Sequence, residues 1–291
     1  MIVIEILKSL RPQQWIKNFF IFAAIIFSRN IFNLPLLLKA VIAFIAFCVL
    51  SSSLYILNDL KDLEEDKHHP IKSKRPLASG RLKKSHAILS FVILSSLGFI
   101  LAVTLNRNFF IIALVYFILQ IAYSFRLKHV VILDVFVIAA GFLIRVVAGG
   151  LAIEVSLSSW LLICTTLLAL FLALGKRRHE LVLLEEEASD HRPILEEYNP
   201  YFLDQLIAVV TASIVIAYCL YTIDAKTVAK FGTTNLLYTV PFVFYGIFRY
   251  LYLIHQKSKG GSPETLILKD KPLLIDIFLW IASAVFILYM R

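Results

Sequence analysis

Charged side chains and flexible linkers are both scarce in this chain. Asp, Glu, Lys and Arg make up 17% of the 291 residues, and 59% of the residues are hydrophobic. Soluble domains contain about 25% charged and roughly 45–50% apolar residues. No stretch rich in Pro, Gly or Ser divides the sequence. The composition therefore excludes a soluble globular protein, and we expect one integral membrane catalytic domain over residues 1–291.

Cysteine is also rare, and its placement excludes two kinds of site. Cys48, Cys164 and Cys219 lie in separate apolar runs, without the spacing of a metal site or of a secreted disulfide framework. We therefore expect three small buried hydrophobic residues.

Long apolar runs, in contrast, recur along the whole chain. A spanning helix needs about 20 mostly apolar residues, so the pattern predicts an all-α, polytopic membrane protein. The first run is the shortest and could also be a secretory signal, although no small-residue cleavage site follows it. Nine candidate spans lie near residues 18–29, 35–57, 86–105, 109–125, 131–153, 158–175, 203–222, 236–254 and 273–290.

Basic residues are concentrated in alternate loops between these spans. Because Lys and Arg in short loops stay on the cytoplasmic side, the distribution predicts a cytoplasmic N-terminus and an active site that faces the cytoplasm. The net charge of +9 then lies mainly at that face, where it would attract an anionic ligand. We expect a protein of the inner membrane that binds no nucleic acid.

An acidic cluster directly follows the apolar run at 35–57. Asp59, Asp62 and Asp66 recur at i, i+3 and i+7, which places them along one face of a helix, and Asn58 precedes them. A solvated helix end is one interpretation, but unpaired carboxylates at a membrane boundary are costly without a cation. Magnesium binds such oxygen ligands, usually one or two carboxylates together with substrate phosphates. The cluster therefore predicts a Mg²⁺ site for a phosphorylated substrate.

A basic stretch with two prolines and a glycine, residues 69–80, follows the acidic cluster. Lys and Arg beside a carboxylate-bound metal form a phosphate clamp, and we favour this interpretation for Lys72 and Arg75. For Lys74 the clamp and a simple topology signal explain the charge equally well.

Arg145 is the most unusual single residue because it lies inside the fifth candidate span. An intramembrane Arg is costly and often marks a functional cavity. Asp134 precedes it by three helical turns and projects to nearly the same face. The alternative is that Asp134 and Arg145 pair with other helices and only hold the bundle together.

These motifs resemble the UbiA superfamily of intramembrane prenyltransferases over essentially the whole chain. Residues 58–66, followed by Arg75, Pro76 and Leu77, are similar to the first Asp-rich motif of that superfamily. The resemblance implies a nine-helix bundle with a magnesium-phosphate site at its cytoplasmic end. Within the superfamily the sequence is most similar to the decaprenyl-phosphate phosphoribosyltransferases, in stretches 10–18, 58–80, 127–129, 141–150, 175–177 and 263–264.

The sequence departs from the aromatic prenyltransferases of this superfamily in two places. Their second Asp-rich motif is replaced here by the basic stretch 176–180, and their Tyr-x-x-x-Lys motif is stretched, since Tyr123 and Lys128 are five positions apart. The role of Tyr123 therefore stays open. More cations and fewer carboxylates suit a site that holds two phosphorylated substrates.

The resemblance thus implies magnesium-dependent transfer of 5-phosphoribose from phosphoribosyl diphosphate to a polyprenyl phosphate of the decaprenyl type, with release of diphosphate. The implied metal ligands are Asn58, Asp59, Asp62 and Asp66, and the implied catalytic residues are Asp59, Asp62 and Arg145. The implied substrate-binding residues are Lys17, Tyr55, Lys72, Arg75, Lys128, Arg145, Lys176 and Arg177.

Two other functions fit the same pattern. One is a prenyltransferase that moves an isoprenoid from its diphosphate to an aromatic acceptor, and the other is a lipid carrier or transporter without chemistry. Asp62→Ala would abolish turnover in either enzyme but would leave transport intact. A homo-oligomer in the bilayer is compatible with every one of these functions.

Overall fold

A computed structural model describes residues 2–68, 72–186, 197–257 and 263–289, with all side chains in these ranges except those of 183–186 and 264. Regular structure in this part of the chain is entirely helical. The α-helices are α1 (Ile2–Ser9), α2 (Ala23–Phe27), α3 (Leu34–Lys61), α4 (Leu63–His68), α5 (Lys84–Leu105), α6 (Arg107–Phe125), α7 (Leu133–Ala152), α8 (Ser159–Glu186), α9 (Pro200–Ile223), α10 (Ala225–Phe231), α11 (Val240–Gln256), α12 (Pro263–Lys269) and α13 (Lys271–Tyr289). Short 3₁₀-helices cover Lys72–Lys74, Leu127–His129 and Asn235–Thr239, and a longer one covers Pro12–Phe22. Residues 69–71 of the basic stretch lie outside the described ranges.

Eight of these segments are long and apolar enough to cross a membrane. They coincide with the second to ninth predicted spans, which confirms the all-α, polytopic fold class. The eight segments are Leu34–Lys61, Lys84–Leu105, Arg107–Phe125, Leu133–Ala152, Ser159–Val182, Pro200–Ile223, Asn235–Gln256 and Lys271–Tyr289.

The first predicted span, residues 18–29, differs from the others. Most of it belongs to the 3₁₀-helix Pro12–Phe22 and to the short α-helix Ala23–Phe27. Eleven residues at about 2.0 Å per residue extend roughly 22 Å, which is longer than an α-helix of the same number of residues. Hydrogen bonds tie this 3₁₀-helix to α3, because the indole of Trp15 donates to Ser52 Oγ at 3.0 Å and Ser52 Oγ donates to the carbonyl of Leu10 at 3.0 Å.

The helices form two compact units, and the division passes through α7 after Leu143. The first unit contains Met1–Ile25, Asn30–Lys128 and Ile144–Ser156. Here α3 packs against α5, α6 and the 3₁₀-helix. Glycine permits close approach at two points, where Gly98 faces the side chain of Leu50 and Gly149 faces the carbonyl of Ile21. Small residues at helix contacts are typical of membrane bundles.

The second unit contains Ile26–Arg29, His129–Leu143 and Leu157–Arg291. Its core forms between α8, α9, α11 and α13 around buried apolar side chains such as Phe171, Leu203 and Ile254. Gly175 lies against the side chains of Ile254 and Tyr250.

The cysteines occur as free thiols. Cys48 is buried, whereas Cys164 and Cys219 are partly buried. The expectation of a buried residue therefore holds for Cys48, whereas Cys164 and Cys219 keep part of their surface exposed.

Candidate active site

The acidic cluster lies where α3 gives way to α4. Asp62 caps the C-terminus of α3, and its N–H donates to the carbonyl of Asn58 at 2.9 Å. The helix restarts at Leu63. The cluster therefore does not occupy the single uninterrupted helix that its spacing predicts. The three carboxylates instead have two separate sets of partners.

Asp59 and Asp66 converge on one guanidinium group, that of Arg75. Nη1 of Arg75 donates to Asp59 Oδ1 at 3.1 Å and also to Asp66 Oδ2. Both carboxylates are buried, whereas the side chain of Arg75 is 25% exposed. Lys72, from the same loop, places Nζ 3.9 Å from Asp66 Oδ1. Two buried carboxylates thus share Arg75 as a common hydrogen-bond donor.

A second guanidinium, that of Arg11, donates to Asp59 from the residue just before the long 3₁₀-helix. It lies over the ring of Tyr55 at 5.2 Å from the centroid. The Arg11 backbone is left-handed, with φ of 52°, which is uncommon for a residue with a side chain. Burial lowers the pKa of Arg11 and the charge of Asp59 opposes this shift; an arginine nevertheless stays protonated in proteins.

Asp62 has a different partner, Lys128 of the 3₁₀-turn Leu127–His129. Lys128 Nζ donates to both carboxylate oxygens, at 2.9 and 3.1 Å. The amide of Asn58 donates to Asp62 Oδ2 at 3.0 Å. Lys128 and Asp62 are both buried, so the pair is well shielded from water.

These contacts bear on where a magnesium ion would fit. Among the described residues, no three His, Cys, Asp or Glu side chains are grouped to hold a metal ion. Mg²⁺ nevertheless needs only one or two carboxylates when substrate phosphates and water complete its shell. Asp59 and Asp66 satisfy this requirement because they already converge on one cationic nitrogen. The predicted four-ligand set is thereby divided into this pair and a second pair, Asn58 and Asp62, which interact with each other.

Arg145 is buried in a separate polar cluster of the first unit. Its Nε donates to Asn18 Oδ1 at 2.7 Å, Nη2 donates to Tyr116 Oη at 2.8 Å, and the guanidinium lies 4.8 Å from the centroid of the Tyr116 ring. Asn18 Nδ2 in turn donates to Cys48 Sγ at 3.2 Å and Ser51 Oγ at 3.3 Å. The cluster joins the 3₁₀-helix, α3, α6 and α7 of this unit.

Asp134 takes part in a buried ion-pair network of the second unit. Arg177 donates to Asp134 and to Glu180. Tyr198 Oη donates to Asp134 Oδ1 at 2.9 Å and accepts the N–H of Ile132 at 2.6 Å. This is the bundle-holding role that the sequence leaves open for Asp134.

The same network changes the interpretation of the basic stretch at 176–180. The family resemblance implies that Arg177 binds substrate. Its side chain, however, is 1% exposed and donates to two carboxylates. A buried guanidinium requires such partners. We therefore assign Arg177 to the ion-pair network. Lys176 is 35% exposed, with Nζ 3.8 Å from Glu180 Oε1, and it remains a candidate for anion binding.

The structure thus gathers part of the predicted site in one place and distributes the rest. Lys17 donates to Gln14 Oε1 at 2.6 Å within the 3₁₀-helix, next to Asn18 of the Arg145 cluster. The candidates brought together at the acidic cluster are Tyr55, Asn58, Asp59, Asp62, Asp66, Lys72, Arg75 and Lys128.

Reasoning from the sequence misses three residues that contact the candidates: Arg11, Asn18 and Tyr116. Arg11 has the sequence context of an interfacial anchor, although the matching stretch 10–18 contains both Arg11 and Asn18. Tyr116 gives no signal, because an aromatic residue in an apolar run is ordinary in a membrane helix.

Comparison with known proteins identifies the family. The sequence model of the UbiA prenyltransferase family matches residues 18–282. The chain is 33% identical to the decaprenyl-phosphate phosphoribosyltransferase of Mycolicibacterium smegmatis, over 97% of this chain and 92% of the relative. It is 32% identical to the enzyme of the same name from Corynebacterium glutamicum, over 97% and 86% of the two chains.

Solved structures support the same fold. A UbiA homologue from Archaeoglobus fulgidus, bound to GPP and Mg²⁺, matches with a TM-score of 0.73 and 19% identity, over 98% of this chain and 99% of that one. A match of this identity supports the fold alone. The family match and the full-length relatives confirm the resemblance seen in the sequence: the chain belongs to the UbiA prenyltransferase family and is an integral membrane transferase of the UbiA type.

Proposed function

We propose that this enzyme transfers 5-phosphoribose from phosphoribosyl diphosphate to a polyprenyl phosphate and releases diphosphate. The observation that carries the proposal is the match, over 97% of the chain, to relatives named decaprenyl-phosphate phosphoribosyltransferase. The site is chemically suited to this reaction, because Arg11, Lys72, Arg75 and Lys128 surround three carboxylates. Fixed cations in such number favour two phosphorylated substrates over one.

The donor binds at the end of α3 in this proposal. Asp59 and Asp66 would hold Mg²⁺, which would neutralise the charge that develops on the departing diphosphate. Arg75 and Lys72 bind the diphosphate oxygens, since both already lie beside these carboxylates. Arg11, held over Tyr55, orients Asp59 through its ion pair.

The acceptor phosphate is bound by Lys128, whose ammonium is fixed by Asp62 and Asn58 through the contacts described above. An oxygen of this phosphate attacks C1 of the ribose as the bond between C1 and the diphosphate oxygen breaks. The electron pair of that bond leaves with diphosphate. Because the attacking phosphate is ionised at neutral pH, no general base is required, and positioning and electrostatics supply the catalysis.

The basic residues of the site also favour a location at the cytoplasmic face of the membrane. Lys72, Arg75 and Lys128 lie in loops that the positive-inside rule assigns to the cytoplasm. Phosphoribosyl diphosphate is a water-soluble anion, so an active site at the cytoplasmic face of the inner membrane gives it direct access. The polyprenyl phosphate reaches the same site from the bilayer.

The proposal is tested with the purified enzyme in detergent, given Mg²⁺, phosphoribosyl diphosphate and a polyprenyl phosphate. We expect diphosphate release that depends on both substrates and a lipid product heavier by one phosphoribosyl group. Asp62→Ala should abolish turnover. Glu64→Gln removes an exposed carboxylate that forms an ion pair with Lys67, and it should leave turnover unchanged.

The competing enzyme activity is tested in parallel. Relatives over part of the chain include a 4-hydroxybenzoate octaprenyltransferase, 32% identical over 45% of this chain. Prenylation of an aromatic acceptor by an isoprenoid diphosphate, with no product from phosphoribosyl diphosphate, would reject our proposal in favour of that activity.

A further inference from the structure

We infer that Arg75 is an exchangeable counter-ion: it competes with the metal ion for Asp59 and Asp66, and it moves to the diphosphate when metal and diphosphate bind together. This inference rests on the proposed use of Asp59 and Asp66 as metal ligands. It concerns the order of events at that site, which the overall reaction leaves undetermined.

The competition follows from the convergence of two carboxylates on one atom. Nη1 of Arg75 lies 3.1 Å from Asp59 Oδ1 and also hydrogen-bonds to Asp66 Oδ2. A magnesium ion needs its oxygen ligands at about 2.0–2.1 Å. A magnesium ion held by the same two oxygens would therefore compete with Nη1 for them, and one of the two cations would have to leave.

The charge of the site favours Arg75 as long as no anion is bound. Three cationic side chains, Arg11, Lys72 and Arg75, already contact the two carboxylates. A divalent ion that arrived alone would add to an existing excess of positive charge in a poorly solvated place. A diphosphate supplies the missing negative charge. Metal and diphosphate should therefore bind cooperatively, and by linkage each raises the affinity of the other equally.

Arg75 has the freedom that such an exchange requires. Its backbone is fixed, because its N–H donates to the carbonyl of Lys72 at 2.9 Å, and its own carbonyl accepts the N–H of Ser79 at 2.9 Å and the Ser79 hydroxyl at 2.7 Å. Its side chain, in contrast, is 25% exposed and can rotate without unfolding the loop. A guanidinium binds phosphate oxygens in a bidentate manner, so the diphosphate offers it an equivalent partner.

The decisive experiment measures binding rather than turnover. The affinity of the full-length protein in detergent for Mn²⁺ alone is obtained from the electron paramagnetic resonance signal of free Mn²⁺. The affinity for labelled diphosphate in saturating Mg²⁺ is obtained by equilibrium dialysis. Arg75→Gln should bind Mn²⁺ more tightly than the wild type, by roughly 5- to 150-fold, the usual range for coupled sites. The same variant should bind magnesium diphosphate more weakly.

The opposite signs of these two effects are diagnostic, since a merely damaged site would lose affinity for both ligands. Lys83→Gln is the matched control, because it removes one positive charge from an exposed position further along the same loop, and it should change neither affinity. Arg75→Lys keeps the positive charge that competes with the metal ion but lacks the guanidinium fork, so it should show a smaller gain in Mn²⁺ affinity. It also serves if Arg75→Gln fails to fold.

Unchanged or weaker Mn²⁺ binding in the Arg75 variants would overturn the inference. So would labelled diphosphate that binds the wild-type protein as tightly in dialysis without Mg²⁺ as with it. Either result can coexist with phosphoribosyl transfer by the wild-type enzyme, so failure of this inference is distinguishable from failure of the proposed function.

Discussion

Lys128 donates a hydrogen bond to each carboxylate oxygen of Asp62, and the two residues are separated by 66 positions in the chain. The contact joins the turn after α6 to the end of α3 within the first unit. Both side chains are buried, so each depends on the other to offset the loss of hydration.

Replacement of Lys128 by methionine should therefore destabilise the protein by about 3–5 kcal/mol, because it leaves a buried carboxylate without its cationic partner. Asp62→Asn combined with Lys128→Met should recover much of that stability and none of the activity. Thermal unfolding of the two single variants and the double variant in detergent measures the coupling. Additive losses would show that the two side chains do not interact.

Arg11→Gln should lower kcat/KM for phosphoribosyl diphosphate by roughly 10- to 100-fold, the kinetic equivalent of one charge-assisted hydrogen bond. Tyr55→Leu should have a smaller effect in the same direction, because it removes the ring that fixes the Arg11 guanidinium. Lys8→Gln is the control, since Lys8 is exposed and pairs with Glu5 rather than with the acidic cluster. A loss in Lys8→Gln as large as that in Arg11→Gln would point to general charge rather than to the Arg11 contact.

The adjacent residues Lys176 and Arg177 should behave in opposite ways. Arg177→Gln breaks a buried ion pair with Asp134 and should cost about 3–5 kcal/mol of stability. Lys176→Gln affects a partly exposed side chain, so it should leave the unfolding temperature nearly unchanged. A stable Arg177→Gln protein would refute the structural role assigned to that residue.

Around Arg145, the loss of stability should grow with the number of hydrogen bonds that a substitution removes. Tyr116→Phe deletes one acceptor and keeps the ring beneath the guanidinium, so we expect a loss of about 1 kcal/mol. Arg145→Met deletes the hydrogen bonds to both Asn18 and Tyr116 and should destabilise the protein more. Denaturant unfolding of both variants gives the comparison, and an equal loss would mean that the Asn18 hydrogen bond contributes little.

Two glycines of the first unit should differ in their tolerance of a methyl group. A Cβ on Gly149 would meet the backbone carbonyl of Ile21, which cannot easily move, whereas a Cβ on Gly98 would meet the flexible end of the Leu50 side chain. Gly149→Ala should therefore lower the unfolding temperature more than Gly98→Ala, with a cost of about 1–3 kcal/mol for the crowded position. The reverse order would show that the 3₁₀-helix, and not α3, yields to the added group.

The sequence is most informative where a pattern has one physical solution. Apolar runs of spanning length must become membrane helices, so α3, α5 and the later spans can be located from hydropathy. The acidic cluster is likewise recognisable, because carboxylates at a bilayer boundary need a cationic partner. The sequence does not identify that partner, and the structure supplies Arg75 and Arg11 for Asp59 and Lys128 for Asp62.

The residues whose roles the sequence does not reveal share one property: their partners are distant in the chain. Arg177 lies in a basic stretch that is typical of an anion-binding site. Its buried ion pair with Asp134, 43 positions earlier, is visible only in the structure. Arg145 is paired with Asn18 across 127 positions. Local spacing gives no information on contacts of this range, so charge alone cannot separate a binding residue from a structural one.

The 3₁₀-helix Pro12–Phe22 bears on how this protein is threaded through its membrane. With its longer rise, eleven residues reach as far as about fifteen residues of α-helix. If it is counted with the eight longer segments found among the described residues, the number of crossings in that part of the chain becomes odd, and its first and last helices then emerge on opposite faces of the bilayer. The sidedness of a membrane protein can thus depend on the tightness of one helical turn.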